Sequence, residues 1–411
     1  MSPQGDPTGQ SAVFVLPLAR PRGPAPVAAW VTTGGWASGA ADVLGAAWVL
    51  AEHGVLTPEE TAATATARGA PARQSRRWRR RLPEPPITFA KDVRKAWKGT
   101  TRRLGHTAGP WQATDVRFVW QRHELFRRDG FHLAKALDVP LVLSVHAMQI
   151  AEARNWGVRR PGWMTLAERL GEIPSLRDAD LVACVSAEVA REVQRRGVPV
   201  ERVIVTPNGV DTLRFRPKPE GRQIRRTLRL EDRFVVGWAG SFRAFHGLEL
   251  ALHALAELRS SKPPISLLLL GDGQERAALE LRAKTEGLDN VVFAGSVPYE
   301  RMPDYLSACD AGLVLSPPNG AFHFSPVKLR EYMACGLPVI GHAVGELRDE
   351  LSDGRDAVLV PPNDRAALAE GLLELAGDTA MRTRLAKRSR ELATERWSWT
   401  AQVVRVLAHL P

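Results

Sequence analysis

The sequence has few cysteines and no long apolar run. Its three cysteines, Cys184, Cys309 and Cys335, lie in apolar or helical stretches, and their spacing fits neither a disulfide framework nor a metal site. No apolar run approaches the roughly 20 residues of a membrane-spanning helix. The first residues, MSPQGDPTGQ, lack the basic and then apolar layout of a signal peptide. We therefore expect a cytoplasmic protein in a reducing compartment.

The positive charge of the chain is concentrated in one short segment. The net charge is +11, and residues 73–103 contribute +10 of it through 12 Lys or Arg and 2 acids. The same segment contains Trp78, Phe89 and Trp97. Three interpretations stay open: a solvated insert, a peripheral contact with an anionic membrane or lipid-linked acceptor, and a nucleic-acid site, which is the least favoured.

A length of 411 residues favours two domains. From residue 180 onward, short apolar runs alternate with helical patterns, which indicates a parallel sheet covered on both faces. The strands predicted in this half span residues 180–186, 202–208, 233–240, 265–271, 290–295, 311–316, 338–342 and 357–361.

The first half of the chain has a noisier pattern. Its predicted strands span residues 12–18, 27–33, 115–120 and 140–146, whereas periodicity leaves 46–54 open between strand and helix. The Pro- and Gly-rich stretch 207–221 is the expected linker. We predict an α/β fold of two doubly wound, Rossmann-like domains facing a cleft, with ligands beyond the carboxyl ends of the strands. The expected divisions are 1–206, 207–390 and a C-terminal helix, 391–411, which packs back toward the first domain.

Residues 322–341, FHFSPVKLREYMACGLPVIG, predict a short helix because their apolar residues recur at helical spacing. Ser325 is expected to cap this helix, and Pro326 suits its first position. Gly336 is expected to end it.

The start of this helix also has the composition of an anion site. The free amides of Val327 and Lys328 would point at a phosphate, helped by the helix dipole and the lysine charge. Glu331, one turn further in, would accept hydrogen bonds from hydroxyl groups. A phosphate beside a sugar ring would satisfy both, while the alternative is a capped helix packed on a sheet.

Residues 237–255, GWAGSFRAFHGLELALHAL, predict a strand, a polar loop and a helix. Arg243 and His246 lie in the loop, where a guanidinium suits phosphate and an imidazole can donate a further hydrogen bond. Gly237 and Gly240 allow the backbone to approach a ligand closely. The stretch has no complete G-x-G-x-x-G, which disfavours a dinucleotide-dependent dehydrogenase.

These stretches resemble retaining glycosyltransferases of family 4, which have the GT-B fold. The resemblance covers roughly residues 115–405, and the matching stretches of the second half follow one another in the order 240–248, 267–276, 291–316, 324–340 and 358–375. It implies transfer of a sugar from a nucleotide diphosphate sugar, most simply a UDP- or GDP-sugar, to an unidentified acceptor. It also implies retention of the anomeric configuration, no cofactor and no essential metal, with residues 1–206 on the acceptor side and 207–390 binding the donor.

The resemblance assigns roles to individual residues of this sequence. Glu331 would hold the ribose hydroxyls, the backbone around Ser296 and Val297 would meet the base, and His146 would face the sugar near its anomeric carbon. The implied diphosphate ligands are Arg243, His246, Val327, Lys328, and the glycine loop of Gly34 and Gly35.

The sequence departs from the family pattern at one position. Most members carry two glutamates separated by seven residues; with Glu331 as the second, the first falls on His323. A subgroup with an FSP-K-L-EYMA pattern is similar to this sequence and also lacks that first glutamate. His323 is therefore a second candidate for contacting the transferred sugar, with a loop-packing role as its alternative.

Other functions and one further group of residues stay open. A nucleotide-sugar epimerase of similar fold would turn over donor without acceptor, and the loss at His323 is also compatible with a non-catalytic, nucleotide-binding subunit. Arg122, His123 and Glu124 follow a predicted strand and either line an acceptor pocket or form a charged loop.

Overall fold

The computed structural model of this protein describes residues 9–18, 28–66, 84–101, 108–155, 157–317 and 325–411. His323 and residues 73–83 lie outside the described residues. The chain forms two compact units, one of Met1–Gly209 with Trp399–Pro411 and one of Val210–Ser398. The divisions fall after residues 209 and 398, whereas we expected them after 206 and 390.

The N-terminal unit is built on a mainly parallel sheet. Its strands are β1 (Gln10–Leu16), β2 (Gly45–Ala51), β3 (Gly54–Leu56), β4 (Asp115–Arg122), β5 (Leu141–Val145), β6 (Leu181–Cys184) and β7 (Val203–Val205). They are ordered β3-β2-β1-β4-β5-β6-β7, and β3 runs antiparallel to β2. The strands predicted at 12–18, 115–120 and 140–146 are confirmed, and the ambiguous stretch 46–54 contains β2.

Helices cover this sheet. They are α1 (Ala28–Leu44), α2 (Pro58–Thr66), α3 (Glu84–Thr101), α4 (Asp129–Leu137), α5 (Gln149–Asn155), α6 (Met164–Gly171), α7 (Ile173–Asp178), α8 (Ala187–Arg195) and, from the C-terminus, α17 (Trp399–Leu407). The ring of Trp399 lies 5.8 Å from that of Trp36 of α1, and Arg405 donates to the carbonyl of Val205 at 3.2 Å. Helix α17 therefore belongs to the core of the N-terminal unit.

The strand predicted at 27–33 is wrong, because these residues begin α1. The expected loop of Gly34 and Gly35 is wrong for the same reason, since both glycines lie inside this helix. A Cβ on Gly35 would collide with the indole of Trp399, and Gly34 packs against Thr61 and its neighbour in α2. These glycines allow helices to pack closely and are not part of a loop that approaches a diphosphate.

The C-terminal unit contains a fully parallel sheet. Its strands are β8 (Phe234–Ala239), β9 (Ile265–Leu270), β10 (Val291–Gly295), β11 (Ala311–Val314), β12 (Val339–His342) and β13 (Val358–Val360). Their order is β10-β9-β8-β11-β12-β13, which is the arrangement of a doubly wound sheet. Every strand predicted from residue 180 onward is confirmed, and so is the α/β fold class of two Rossmann-like domains.

The helices of this unit precede its first strand, connect its strands and follow the last one. They are α9 (Gly221–Leu228), α10 (Leu248–Glu257), α11 (Arg276–Thr285), α12 (Met302–Leu306), α13 (Val327–Ala334), α14 (Gly345–Glu350), α15 (Arg365–Gly377) and α16 (Thr379–Glu395). Two buried apolar clusters, one on each face of the sheet strands, contain Leu267 and Leu268 respectively. Because successive strand residues point to opposite faces, helices on both sides exclude water from the sheet.

Candidate active site

The two central strands of the C-terminal sheet, β8 and β11, define its topological switch point. They are neighbours, and the chain leaves them toward opposite edges of the sheet, so a crevice is expected beyond their carboxyl ends. The loop after β8 approaches the end of β11: a Cβ on Gly247 would lie 2.7 Å from the carbonyl oxygen of Ser316. The amide of Ala239, the last residue of β8, donates to the Tyr332 hydroxyl of α13 at 2.6 Å. Loop and helix are thereby held together.

Two glycines shape the loop after β8. Gly240 has φ +156° and Gly271 has φ +133°, a region that favours glycine. The carbonyl oxygen of Gly240 occupies the space that a Cβ on Gly271 would need, so the two backbones are in direct contact. A Cβ on Gly240 would in turn lie 2.9 Å from Lys328 Nζ. The missing side chain therefore leaves room for the lysine ammonium.

Helix α13 begins at Val327 with Pro326 as its N-cap. The expected cap by Ser325 is wrong, since its side chain instead hydrogen-bonds to the buried carboxyl of Glu346. The predicted end at Gly336 is confirmed: it has φ +72°, and the amides of Gly336 and Leu337 donate back to Met333 and Tyr332. The first amides of the helix have no intrahelical partner, and the helix dipole gives them a partial positive charge.

Lys328 brings a cation to this helix end. Its Nζ lies 4.1 Å from the ring centroid of Trp238, which is a cation–π contact. Burial lowers the pKa of Lys328 to about 7, while the carboxylate of Glu331 opposes the shift. At neutral pH the ammonium is therefore only partly protonated, and a bound anion would favour its charged form.

Arg243 and His246 lie in the loop between β8 and α10, beside Lys328. The His246 ring stands edge-on to Trp238 at 5.3 Å, and burial, together with the charges of Lys328 and Arg243, lowers its pKa to about 2. His246 is therefore a neutral imidazole that can donate one hydrogen bond. Arg243 is exposed and immediately precedes the 3-10 turn Ala244–His246. The structure brings these three predicted diphosphate ligands together.

Glu331 lies one helical turn after Lys328 and on the same side of α13. Burial raises the pKa of its carboxyl to about 7; a hydrogen bond from Tyr299 and the charges of Lys328 and Arg214 limit the shift. The guanidinium of Arg214 lies over the Tyr299 ring at 5.5 Å from its centroid. A buried carboxyl is thus positioned by a tyrosine, and it accepts hydrogen bonds fully only when ionised.

The predicted base-contacting residues lie close in the chain to Tyr299, which hydrogen-bonds to this carboxyl. Ser296 is exposed and Val297 buried, directly after β10, and Tyr299 follows two residues later. We call Gly240, Arg243, His246, Lys328, Tyr299 and Glu331 the α13 site. Its helix amides and lysine suit an anion, while its carboxyl suits hydroxyl groups one turn away.

Two family models match the chain. The model of Glycosyl transferases group 1 matches residues 220–392, and that of Glycosyltransferase Family 4 matches residues 49–214. A D-inositol 3-phosphate glycosyltransferase of Xylanimonas cellulosilytica is 30% identical over 325 residues, which are 75% of this chain and 74% of the relative. The chain belongs to the family 4 glycosyltransferases. The more specific subgroup with the FSP-K-L-EYMA pattern stays a prediction.

Two further proteins are similar to this glycosyltransferase. A GDP-mannose-dependent phosphatidylinositol monomannoside mannosyltransferase of Mycolicibacterium smegmatis is 27% identical over 271 residues, 65% of this chain and 68% of the relative. The structure of Anabaena HepE in complex with UDP superimposes on this chain with a TM-score of 0.66 and 18% sequence identity. The superposition covers 97% of this chain and 100% of HepE. At this identity the HepE structure supports the shared fold.

In the N-terminal unit of the glycosyltransferase, His146 follows the end of β5. Its Nε2 is buried and has no hydrogen-bond partner among the described residues. Burial, and then the charge of Arg122, lowers its pKa well below the usual value, so the ring is neutral. Arg122 ends β4 and donates to the Thr32 hydroxyl at 3.3 Å. His146 is thus a neutral donor or acceptor at a carboxyl end of the sheet.

The group that follows β4 is mostly structural. His123 is buried, with Nδ1 3.2 Å from the Ser175 hydroxyl and Nε2 3.5 Å from the Glu172 carboxylate. Glu124 accepts a hydrogen bond from Gln149 at 3.0 Å. The interpretation of His123 as lining an acceptor pocket is therefore wrong, because its side chain is buried among neighbouring helices.

Sequence reasoning missed the residues that support the α13 site. His342 is buried at the end of β12, and its Nδ1 accepts from the backbone amide of Ser316 at 3.0 Å. The same nitrogen lies 2.7 Å from the Ser316 hydroxyl, and burial lowers the pKa of His342 to about 4. A signal was present, since His342 ends a predicted buried strand at the side of the sheet where ligands bind. Tyr299 had no comparable signal.

The described residues lack two kinds of feature. In the ranges given above, no group of three or more His, Cys, Asp or Glu side chains is arranged to hold a metal ion. The helices of the same ranges include none that combines the length and apolar character needed to cross a bilayer.

Proposed function

We propose that this glycosyltransferase transfers a sugar from a nucleotide diphosphate sugar with retained anomeric configuration, without a cofactor or an essential metal. The α13 site carries the proposal, because it combines an anion-binding helix end, a partly charged lysine and a carboxyl one turn away. We favour a UDP- or GDP-sugar, since HepE is bound to UDP and the mycobacterial relative is named for GDP-mannose. We also propose a cytoplasmic location, because the three cysteines are free and buried.

In this proposal each part of the α13 site meets one part of the donor. Glu331 accepts hydrogen bonds from the ribose hydroxyls, and the backbone of Ser296 and Val297 contacts the base. The diphosphate is bound by Arg243, His246, Lys328 and the amides of Val327 and Lys328. Tyr299 orients the Glu331 carboxyl so that its oxygens face the ribose.

The chemistry follows from the charge that develops on the leaving group. When the bond between the sugar and the diphosphate breaks, negative charge accumulates on the phosphate oxygens. Preorganised donors aimed at such charge are often the largest catalytic term. Lys328, Arg243, His246 and the helix amides provide these donors through the protein alone. The acceptor hydroxyl then attacks the same face of the sugar from which the diphosphate departs.

We assign the acceptor side to the N-terminal unit. His146, a neutral imidazole at the carboxyl end of β5, is the candidate for contacting the sugar near its anomeric carbon. His323 remains the second candidate by position in the sequence. The acceptor itself is unidentified; the relatives are named for inositol 3-phosphate and for a phosphatidylinositol monomannoside, which makes hydroxyl groups of phosphorylated or lipid-linked polyols the first acceptors to test.

The direct test is a transfer assay with UDP-glucose, UDP-N-acetylglucosamine and GDP-mannose, each combined with these acceptors and with excess EDTA. We expect one donor to yield a glycoside whose anomeric configuration, read by NMR, equals that of the donor. Inversion would refute the retaining mechanism, and loss of activity in EDTA that a metal restores would refute metal independence.

The same assay separates the two alternatives. An epimerase would release free nucleotide or isomerised sugar without any acceptor. A non-catalytic subunit would bind nucleotide and transfer nothing to any acceptor. We do not favour either, since the relatives reported above are named as transferases.

The pH dependence of nucleotide binding should be bell-shaped. The pKa of Glu331 is raised to about 7, so its carboxyl becomes protonated and loses acceptor capacity as the pH falls below 7. The pKa of Lys328 is lowered to about 7, so its charge disappears as the pH rises above 7. Calorimetric affinity for the preferred nucleoside diphosphate should therefore peak near pH 7 and fall by up to about tenfold per pH unit on each side.

Two variants assign the limbs of this profile. Glu331→Gln should flatten the acidic limb and Lys328→Met the alkaline limb, while the nucleotide's own titration affects all proteins equally. A wild-type profile without an alkaline limb would show that Lys328 is not a diphosphate ligand.

A further inference from the structure

Two helices of the N-terminal unit expose large apolar side chains in rows. On α3, Phe89, Val93 and Trp97 are 50%, 51% and 58% exposed, and their spacing of four residues puts them in one stripe. On α6, Leu166 and Leu170 are 57% and 60% exposed with the same spacing. Scattered apolar residues are normal on a protein surface, whereas aligned ones mark an interaction surface.

The two stripes are adjacent. The Phe89 ring packs edge-on against Trp163 at a centroid distance of 5.3 Å. Trp163 precedes α6 and lies three residues before Leu166, so both are on one side of that helix. Near the other ends of the helices, Phe126 donates its amide to the Gly171 carbonyl at 2.9 Å, and its own carbonyl contacts Gly99 of α3. The helices therefore lie side by side, in the same direction.

An internal ion pair fixes the orientation of α3. Asp92 is buried and accepts hydrogen bonds from Arg160 Nε at 2.7 Å and from the indole of Trp163 at 3.1 Å. This anchors the inner side of α3 to the segment before α6. The ion pair fixes the rotation of α3 about its axis, and in this rotation the side chains of the apolar stripe stay at least half exposed.

The remaining side of α3 is basic. It carries Lys91, Arg94, Lys95 and Lys98, and the residues immediately before the helix, 73–83, add six arginines in the sequence. Of the two acids of α3, Glu84 and Asp92, the one that lies among these lysines, Asp92, is already paired with Arg160. A helix with aromatic and aliphatic residues on one side and lysines and arginines on the other has the composition of helices that lie on anionic membranes.

The apolar residues also discriminate between partners. Val93, Leu166 and Leu170 offer no ring for stacking on bases and no hydrogen bond, so they would gain little from a nucleic acid. A second copy of this chain would bring an equally basic surface, and like charges would repel. An anionic bilayer offers both an apolar interior and negative headgroups.

We propose that α3 and α6 form a docking surface for an anionic lipid bilayer. Phe89, Val93, Trp97, Leu166 and Leu170 enter the headgroup region, and the basic side of α3 contacts the headgroups. This surface lies apart from the α13 site in the sequence, and its existence does not depend on the proposed sugar transfer.

Vesicle flotation with the full chain tests the proposal. The wild type should bind vesicles of phosphatidylcholine with phosphatidylglycerol and not vesicles of phosphatidylcholine alone. Trp97→Glu and Leu170→Glu should each weaken binding by about tenfold, the order expected when a large apolar side chain no longer leaves water. Val200→Glu and Leu281→Glu are matched controls, since these residues are 70% and 66% exposed elsewhere, and should bind as the wild type.

Three results would overturn the proposal. The first is no binding of the wild type to either vesicle. The second is unchanged vesicle binding of Trp97→Glu and Leu170→Glu. This result overturns the proposal even if replacing Lys91, Lys95 and Lys98 by glutamine, or adding an oligonucleotide, abolishes that binding. The third is a wild-type dimer in solution that Trp97→Glu dissociates. Nucleotide-induced stabilisation of each variant, measured in parallel, reports folding and is expected to equal that of the wild type whatever the vesicles do.

Discussion

Replacing Lys328 by methionine should lower kcat for sugar transfer by about 10²–10³, the usual effect of removing one preorganised donor from a developing anion. Methionine keeps the length of the side chain and its contact with Trp238, from whose ring Nζ lies 4.1 Å away. The loss should appear in kcat more than in KM, because the charge on the diphosphate grows as the bond to the sugar breaks. Steady-state kinetics with the donor found in the transfer assay measures it.

The matched control for this prediction is Lys284→Met. Lys284 is exposed on α11 in the same unit, and its replacement should leave kcat unchanged. If Lys328→Met retained wild-type kcat with an unchanged melting temperature, the lysine would be no more than a structural cation over Trp238, and the leaving-group argument would fail.

Replacing Glu346 by alanine should destabilise the C-terminal unit by about 3–5 kcal/mol, because it leaves a buried guanidinium uncompensated. Arg330 of α13 is fully buried, donates to Glu346 with one bond of 2.9 Å, and stacks on Trp397 at 4.8 Å. Ser325, at the start of α13, hydrogen-bonds to the same carboxyl. The substitution should therefore loosen the helix end of the α13 site as well as reduce the free energy of unfolding.

Denaturant unfolding followed by circular dichroism measures this effect. The double variant Arg330→Met with Glu346→Leu should recover most of the stability, because it removes both buried charges together. Glu257→Ala breaks an exposed pair with Arg365 and should cost less than about 1 kcal/mol. A loss of that small size for Glu346→Ala would mean that water reaches Arg330 and that the pair does not anchor α13.

The sequence was sufficient for the C-terminal sheet because its strands are continuous apolar runs bounded by glycine, proline or polar residues. The run 265–271 is an example, because it forms β9, every residue of which is buried. The stretch 27–33 failed because an apolar run of that length is compatible with strand or helix. The helical conformation is stabilised by contacts of Gly34 with α2 and of Gly35 with Trp399, and these partners are distant in the sequence.

The residues of the candidate site also fall into two groups, those that local spacing predicts and those that only contacts between elements reveal. Lys328, Glu331 and Gly336 were predicted because local spacing on one helix determines their positions. Tyr299 and His342 act through residues that are 32 and 26 positions away, Glu331 and Ser316, and only the folded sheet brings them together. Ser325 was assigned a local cap, yet its hydroxyl finds the buried carboxyl of Glu346 instead. Patterns along the chain predict individual elements, while contacts between elements have to be observed.

The central claim is that the start of α13 is a nucleotide site, and thermal unfolding of the wild type and Glu331→Ala with UDP, GDP, ADP and TDP tests it most directly. A ligand at 100 times its Kd stabilises the folded state by about 2.7 kcal/mol. We expect one nucleotide to stabilise the wild type and Glu370→Ala, an exposed control, equally. Glu331→Ala should weaken binding by about 1–3 kcal/mol. Stabilisation by none of the four, or equal stabilisation of Glu331→Ala, would contradict the account.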